Sequence, residues 1–274
     1  MKKRKYYLFF LIALPVLVVS SITFFSCPPV EEEPASNIIK RDGVLTLNKW
    51  TELLEDIYKK GVLVNLDLSE CTAPLDSIGD VLKHVNEDGS DYTPTPYPGT
   101  NILNPYNDYI QFDPFLGGSF GKEFILSIIL PDEATMISNA SDKIDIDTLE
   151  SAKHDEKERF AFRHFTRLKS VTGKKIRLIG TFAFYNCKTL EEANFQNVIH
   201  IMQYAFYNCS SIKKFNYEKI TDIMPSSFEG CSSLEKAEFI NVRRICQRAF
   251  MNCTGLTEVN FPSAMEVLPE AFRN

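Results

Sequence analysis

The chain has 274 residues, 44% hydrophobic and 12% aromatic, enough to bury a real core in one or two domains and unlike a disordered or collagenous composition. Its 30 Lys and Arg stand against 36 Asp and Glu, a net charge of −6, and Lys2, Lys3, Arg4 and Lys5 crowd into the amino terminus, so the rest is more acidic still. That balance argues against a nucleic-acid binder, while seven Cys and four scattered His (His84, His154, His164, His200) suit neither a small disulfide scaffold nor a metal centre.

The first element is a targeting segment. Basic residues up to Lys5 precede an apolar run from Leu8 to Phe25, followed by Ser26-Cys27-Pro28-Pro29. The basic end stays in the cytoplasm while the apolar run enters the membrane. A lone Cys27 after the small Ser26 resembles the lipobox of bacterial lipoproteins, although Phe24 and Phe25 stand where Leu and a small residue are usual. The resemblance implies cleavage after residue 26 and acylation of Cys27, and so a lipid anchor. A retained transmembrane anchor and a plain secreted protein are the alternatives. Residues 27–36 are acidic and carry prolines, which reads as a spacer.

Residues 37–121 read as an amino-terminal cap with a long loop. Gly43 to Leu47 is expected to be a strand, Trp50 to Lys60 an amphipathic helix after Asn48, and Val62 to Leu68 a second strand. Residues 85–121 are rich in Pro, Gly, Asn, Asp and Tyr, with Tyr92-Thr-Pro-Thr-Pro-Tyr97 typical. They read as a surface loop, with a tyrosine-rich recognition loop as the alternative. Ile125 to Leu130 has the form of a strand, and 21 extra residues separate the columns at Met136 and Phe162.

The carboxy-terminal part repeats every 22 residues. Phe184, Phe206, Phe228, Phe250 and Phe272 mark the period, and Cys187, Cys209, Cys231 and Cys253 follow at +3. Leu190, Ile212, Leu234 and Leu256 fall at +6, and Ala193, Phe215, Ala237 and Val259 at +9. Phe195, Tyr217, Phe239 and Phe261 fall at +11, and Ile201, Ile223, Ile245 and Val267 at +17. Phe162, Phe165, Leu168 and Val171 keep the first columns one unit earlier. The alternation from +6 to +11 predicts a strand with one buried face, and the remaining spacing predicts a short helical or 3₁₀ return. A unit this short buries its apolar stripe only by stacking on its neighbours, with the strands joining one parallel sheet.

The stretches IGTFAFYNCKTLEEANF (179–195) and ICQRAFMNCTGLTEVNFP (245–262) resemble the BspA-like leucine-rich repeats of bacterial surface proteins. The resemblance implies an α/β leucine-rich-repeat solenoid over 122–274, regular over 176–274, with its parallel β-sheet on the concave face and residues 37–121 capping it. It also implies a protein-binding or adhesion module, with host matrix, host cells or other bacteria as partners, at the outer membrane or cell surface. The competing reading is a structural lipoprotein facing the periplasm, and protease shaving of intact cells separates the two.

The cysteine ladder could in principle make disulfides or hold soft metal ions. Its thiols point the same way rather than converging on a tetrahedron, so Cys187, Cys209, Cys231 and Cys253 read as core, with serine there expected to lack a partner. Asp142 to Asp147 lacks the Gly and distal Glu of a calcium loop, and no nucleophile elbow, P-loop, zinc-protease or dinucleotide motif occurs. The expectation is a non-enzyme without cofactor or metal. The candidate binding residues are those that alternate outward on the strands: Glu192, Lys214, Lys236 and Glu258 at +8, and Asn194, Asn216, Glu238 and Asn260 at +10. Arg248 is expected to lie on the opposite side, as a neutral control.

Overall fold

Thr46, rather than Asn48, starts the helix: its hydroxyl accepts the Lys49 N–H at 3.3 Å, so α1 runs Leu47–Lys60. Gly61 ends it in the left-handed region (φ 62) with its N–H on the Ile57 and Tyr58 carbonyls. Trp50, Leu53, Leu54 and Ile57, one stripe of the helix, are buried. The first strand consequently lies earlier than the sequence suggests, as β1 (Ile38–Val44), and the second extends further, as β2 (Val64–Thr72). The computed structural model describes residues 37–73, 82–85, 109–112, 114, 117–137 and 161–274. The apolar amino-terminal run, Cys27, the spacer, Tyr92 to Tyr97 and Asp142 to Asp147 lie outside the described residues. Among those described, no helix is long and apolar enough to cross a membrane.

Two rails of parallel strands run along the chain. In the first, β1, β2, β5 (Ile125–Ile129), β7 (Ser170–Thr172) and β9 (Glu192–Asn194) pair in that order, so the amino-terminal strands extend the sheet of the repeats. It resumes as β11 (Lys214–Asn216), β13 (Lys236–Glu238) and β15 (Glu258–Asn260), with Lys214 opposite Lys236 and Lys236 opposite Glu258. The second rail holds β3 (Leu82–Val85), β4 (Tyr109–Phe112), β6 (Met136–Ile137), β8 (Leu178–Ile179) and β10 (His200–Ile201), then β12 (Asp222–Ile223), β14 (Arg244–Ile245) and β16 (Glu266–Val267). Only β3 and β4 pair antiparallel among the described strands.

Where the sequence suggests a helical return, the chain forms a two-residue strand and then consecutive tight turns. The turns need left-handed residues in two columns. Phe182, Tyr204, Ser226, Arg248 and Glu270 form one (φ 52 to 60), and His164, Asn186, Asn208, Gly230 and Asn252 the other. These turns make a third rail through backbone bonds from each Phe N–H to the next unit: Phe184 to Ala205 at 2.8 Å, Phe206 to Ser227 at 2.8 Å and Phe228 to Ala249 at 2.9 Å. The Phe column fills the interior as one stack, with ring centroids 4.6 Å (Phe162–Phe184), 5.0 Å, 5.6 Å, 5.2 Å and 5.2 Å (Phe250–Phe272) apart. Each buried pair adds about 0.5–1.5 kcal/mol beyond its area burial.

Candidate binding face

On the inner strands the alternation sends one residue inward and its two neighbours out, whereas on β15, the last of its sheet, the +9 residue Val259 is exposed too. Ala237 is fully buried, while Lys236 and Glu238 flank it exposed. Glu192, Asn194, Lys214, Glu258 and Asn260 are likewise exposed, and Asn216 occupies the matching register position beside Glu238. Neighbouring strands in a ladder stand about 4.8 Å apart. Lys236 Nζ reaches Glu258 Oε2 at 2.6 Å, and Asn194 Nδ2 donates to Glu192 Oε2 at 3.1 Å. Lys214 has no ion-pair partner among the described residues.

The eight candidates do not share one unbroken sheet, as the repeat spacing suggested. Glu192 and Asn194 belong to the segment ending at β9, and the other six to the segment beginning at β11. The face also reaches further toward the amino terminus than the columns indicated. Ser127 stands opposite Ser170, which stands opposite Glu192, and Ser127 Oγ donates to Asn65 Oδ1 at 2.6 Å. The Phe column already reaches back to Phe162, ahead of β7, and Ile125 to Leu130 reads as a strand, but β1 and β2 lack the Cys and Phe columns, so the repeat pattern could not place them in this sheet.

The ladder cysteines are free and buried, but they are not merely hydrophobic. Cys209, Cys231 and Cys253 donate through Sγ to the carbonyls of Phe184, Phe206 and Phe228 at 3.0, 3.2 and 3.1 Å. Burial pushes the Cys187 and Cys253 thiols up to about 12 and raises Cys209 and Cys231 as well. Among the described residues, no three His, Cys, Asp or Glu side chains gather where they could hold a metal ion. Arg248 is no neutral control. Its Nη2 lies 2.9 Å from Oε1 of Glu229, whose side chain is 4% exposed, so removing Arg248 strands a buried carboxylate.

Stacked 22-residue units with two strand rails and a turn rail define a leucine-rich-repeat solenoid. Residues 156–274 match the family model described as a BspA type leucine rich repeat region, in six copies. Among solved structures, the chain is similar to a leucine-rich repeat protein from Bacteroides ovatus (20% identity, TM-score 0.42, covering 68% of this chain and 41% of that one). It is also similar to a leucine rich cell surface protein from Faecalibacterium prausnitzii (18%, TM-score 0.41, covering 71% and 56%). A third, from Eubacterium ventriosum, is a leucine-rich repeat protein (16%, TM-score 0.40, covering 77% and 58%). The chain thus spans 41 to 58% of the length of these structures. No curated protein matches it.

Proposed function

We propose that this protein is a lipid-anchored bacterial surface protein whose strand face captures a protein partner. The observation that carries the reading is the exposed row of Glu, Asn and Lys side chains on β9 and, in register with one another, on β11, β13 and β15, set on a stack whose interior is buried. Ten basic and ten acidic residues over 176–274 leave no field of one sign, so recognition rests on local hydrogen bonds and ion pairs. Adhesion to host matrix, host cells or other bacteria is the function that the BspA-type repeats support. The basic amino terminus, apolar run and Cys27 support an outward-facing anchor in the envelope, at the outer membrane or cell surface.

The test is solid-phase binding of the full chain to immobilised matrix proteins, host cells and bacteria. Lys214→Glu with Lys236→Glu is expected to weaken capture about tenfold or more at an unchanged melting temperature, because an exposed pair such as Lys236–Glu258 contributes little stability. Lys188→Glu, exposed in a turn outside both strand rails, is expected to bind like the native chain. Equal binding by all three proteins would remove the strand face from the reading.

A further inference from the structure

The solenoid is interrupted at one junction, between the units that hold Phe184 and Phe206. At the other junctions of the regular repeats, the residue preceding each strand bonds back by one unit: Glu191 N–H to the Lys169 carbonyl (2.8 Å), Glu235 to Lys213 (2.9 Å) and Thr257 to Glu235 (3.0 Å). Among the described residues, the corresponding bond from Lys213 to Glu191 is not made, and β9 does not pair with β11, nor β10 with β12. The turn rail crosses the same junction intact, through Phe184 N–H to Ala205 (2.8 Å), Asn186 N–H to Tyr207 (2.8 Å) and the Cys209 thiol to Phe184 (3.0 Å). The units are therefore held by backbone bonds along the turn side, while along the strand side, among the described residues, only side chains cross, with Ser211 Oγ donating to the Lys188 carbonyl (2.6 Å), the Tyr217 hydroxyl to the Ala193 carbonyl (2.9 Å) and Lys219 Nζ to Asn197 Oδ1 (2.8 Å).

Two residues of the Phe206 unit depart from their columns and account for the separation. Phe215 stands where Ala193, Ala237 and Val259 stand in the other units, and its ring lies 4.8 Å from Phe206 and 4.5 Å from Phe228. The ring thus lies on the Phe228 side of its unit, where the Phe stack steps 5.6 Å between Phe206 and Phe228, against 5.0 Å between Phe184 and Phe206 at the interrupted junction. A close-packed interior has no spare room for the ring, so β11 packs with the Phe228 unit, whose β13 it pairs with, rather than with β9. Tyr217 stands where the other units have Phe, and its buried hydroxyl crosses the junction to the Ala193 carbonyl at 2.9 Å. Ala193 itself is partly exposed, whereas its counterpart Ala237 is fully buried. A cleft of about 720 Å³ opens there, lined by Glu191, Ala193, Asn194, Lys214 and Tyr217 among others. That volume falls in the usual range for ligand sites, roughly 300–1,000 Å³.

We propose that this cleft receives an extended peptide segment of the partner, carrying an acidic residue, which adds its backbone between β9 and β11. The proposal rests on the strand-face reading above and names how the partner is held. A strand edge with unmade ladder bonds is a template for another extended backbone. Here both walls are such edges: the Glu191 carbonyl on one, and the Lys213 and Lys214 N–H groups on the other. The acidic preference follows from Lys214. Glu191 is met by Lys169 at 3.8 Å and Lys174 by Asp132 at 2.7 Å, which leaves Glu192 on the β9 wall and Lys214 on the β11 wall as the lining charges without an ion-pair partner among the described residues, so the acidic residue of the peptide is placed at the β11 wall, over Lys214.

The probe is a phage-displayed library of random twelve-residue peptides, panned on the full chain, with selected peptides then synthesised. Acidic peptides are expected. N-methylation of either alternate set of amides should weaken binding about tenfold, because a strand seated between β9 and β11 turns one set of its amides to each wall. Lys214→Glu should weaken binding about tenfold. Phe215→Ala should close the junction and abolish binding; because it also empties core volume, Tyr217→Phe is paired with it, losing only the hydroxyl. Tyr217→Phe releases the Ala193 carbonyl and should tighten binding several-fold. A library that yields no binder, methylation tolerated everywhere, or Lys214→Glu and Tyr217→Phe both binding like the native chain would overturn the cleft. A macromolecular partner lost on Lys214→Glu with Lys236→Glu, but unaffected by Lys214→Glu alone and by competition with the peptides, would overturn the cleft while keeping the strand face.

Discussion

A thiol 3.0 Å from a carbonyl has different consequences from one packed only against hydrocarbon. The repeat pattern alone leaves a serine in the cysteine ladder with an orphaned hydroxyl, but the Phe206 carbonyl that receives the Cys231 thiol would receive the hydroxyl too. Cys231→Ser is therefore expected to cost about 1 kcal/mol in urea unfolding, and Cys231→Ala, which loses both the donor and the sulfur volume, about 2 kcal/mol. The same burial ties stability to pH. Cys187 and Cys253 titrate near 12 in the folded chain against an ordinary 9.0, so the unfolded chain releases these protons first. Their contribution is complete below pH 9.0 and is lost as pH rises toward about 12. Melting temperature should fall through that window, and more shallowly for Cys253→Ala. An equal fall in both proteins would show that the ladder does not set it.

The turn rail is the element that keeps the units in step. Three of the left-handed residues in one column, which runs His164, Asn186, Asn208, Gly230 and Asn252, are Asn, which tolerates that backbone, and Asn208 Nδ2 donates to Asn186 Oδ1 at 3.1 Å to begin an amide ladder. Gly230 interrupts this ladder at φ 76, where an added Cβ would collide with Asn208 Oδ1. Gly230→Ala is expected to cost about 1–2 kcal/mol in denaturant unfolding, from the backbone preference and the displaced amide together. Gly230→Asn restores the column's residue and should cost less than Gly230→Ala; the reverse order would show that crowding, not φ, governs this turn.

At the scale of the whole molecule, the proposed anchor sets where the strand face is presented. Cys27→Ala is expected to abolish incorporation of labelled palmitate and leave an unprocessed or soluble chain; wild-type protein that never takes up the label would exclude the lipid. The 22-residue period, the buried Phe and Cys columns and the outward residues of β9, β11, β13 and β15 were legible in the sequence, because a solenoid writes each inward position once per turn at constant spacing. The start of the helix was not, because two neighbouring residues, Thr46 and Asn48, can each cap, and only the bond to Lys49 distinguishes them. The amino-terminal strands β1 and β2 joined the repeat sheet without any repeat columns, since strand pairing is made by backbone groups that no side-chain pattern encodes. Phe215 and Tyr217 were visible as departures from their columns. Their opening of a single junction, where the turn rail holds while the strand rails do not, depended on how a few extra ring atoms were accommodated in a close-packed interior, which only the tertiary structure decides.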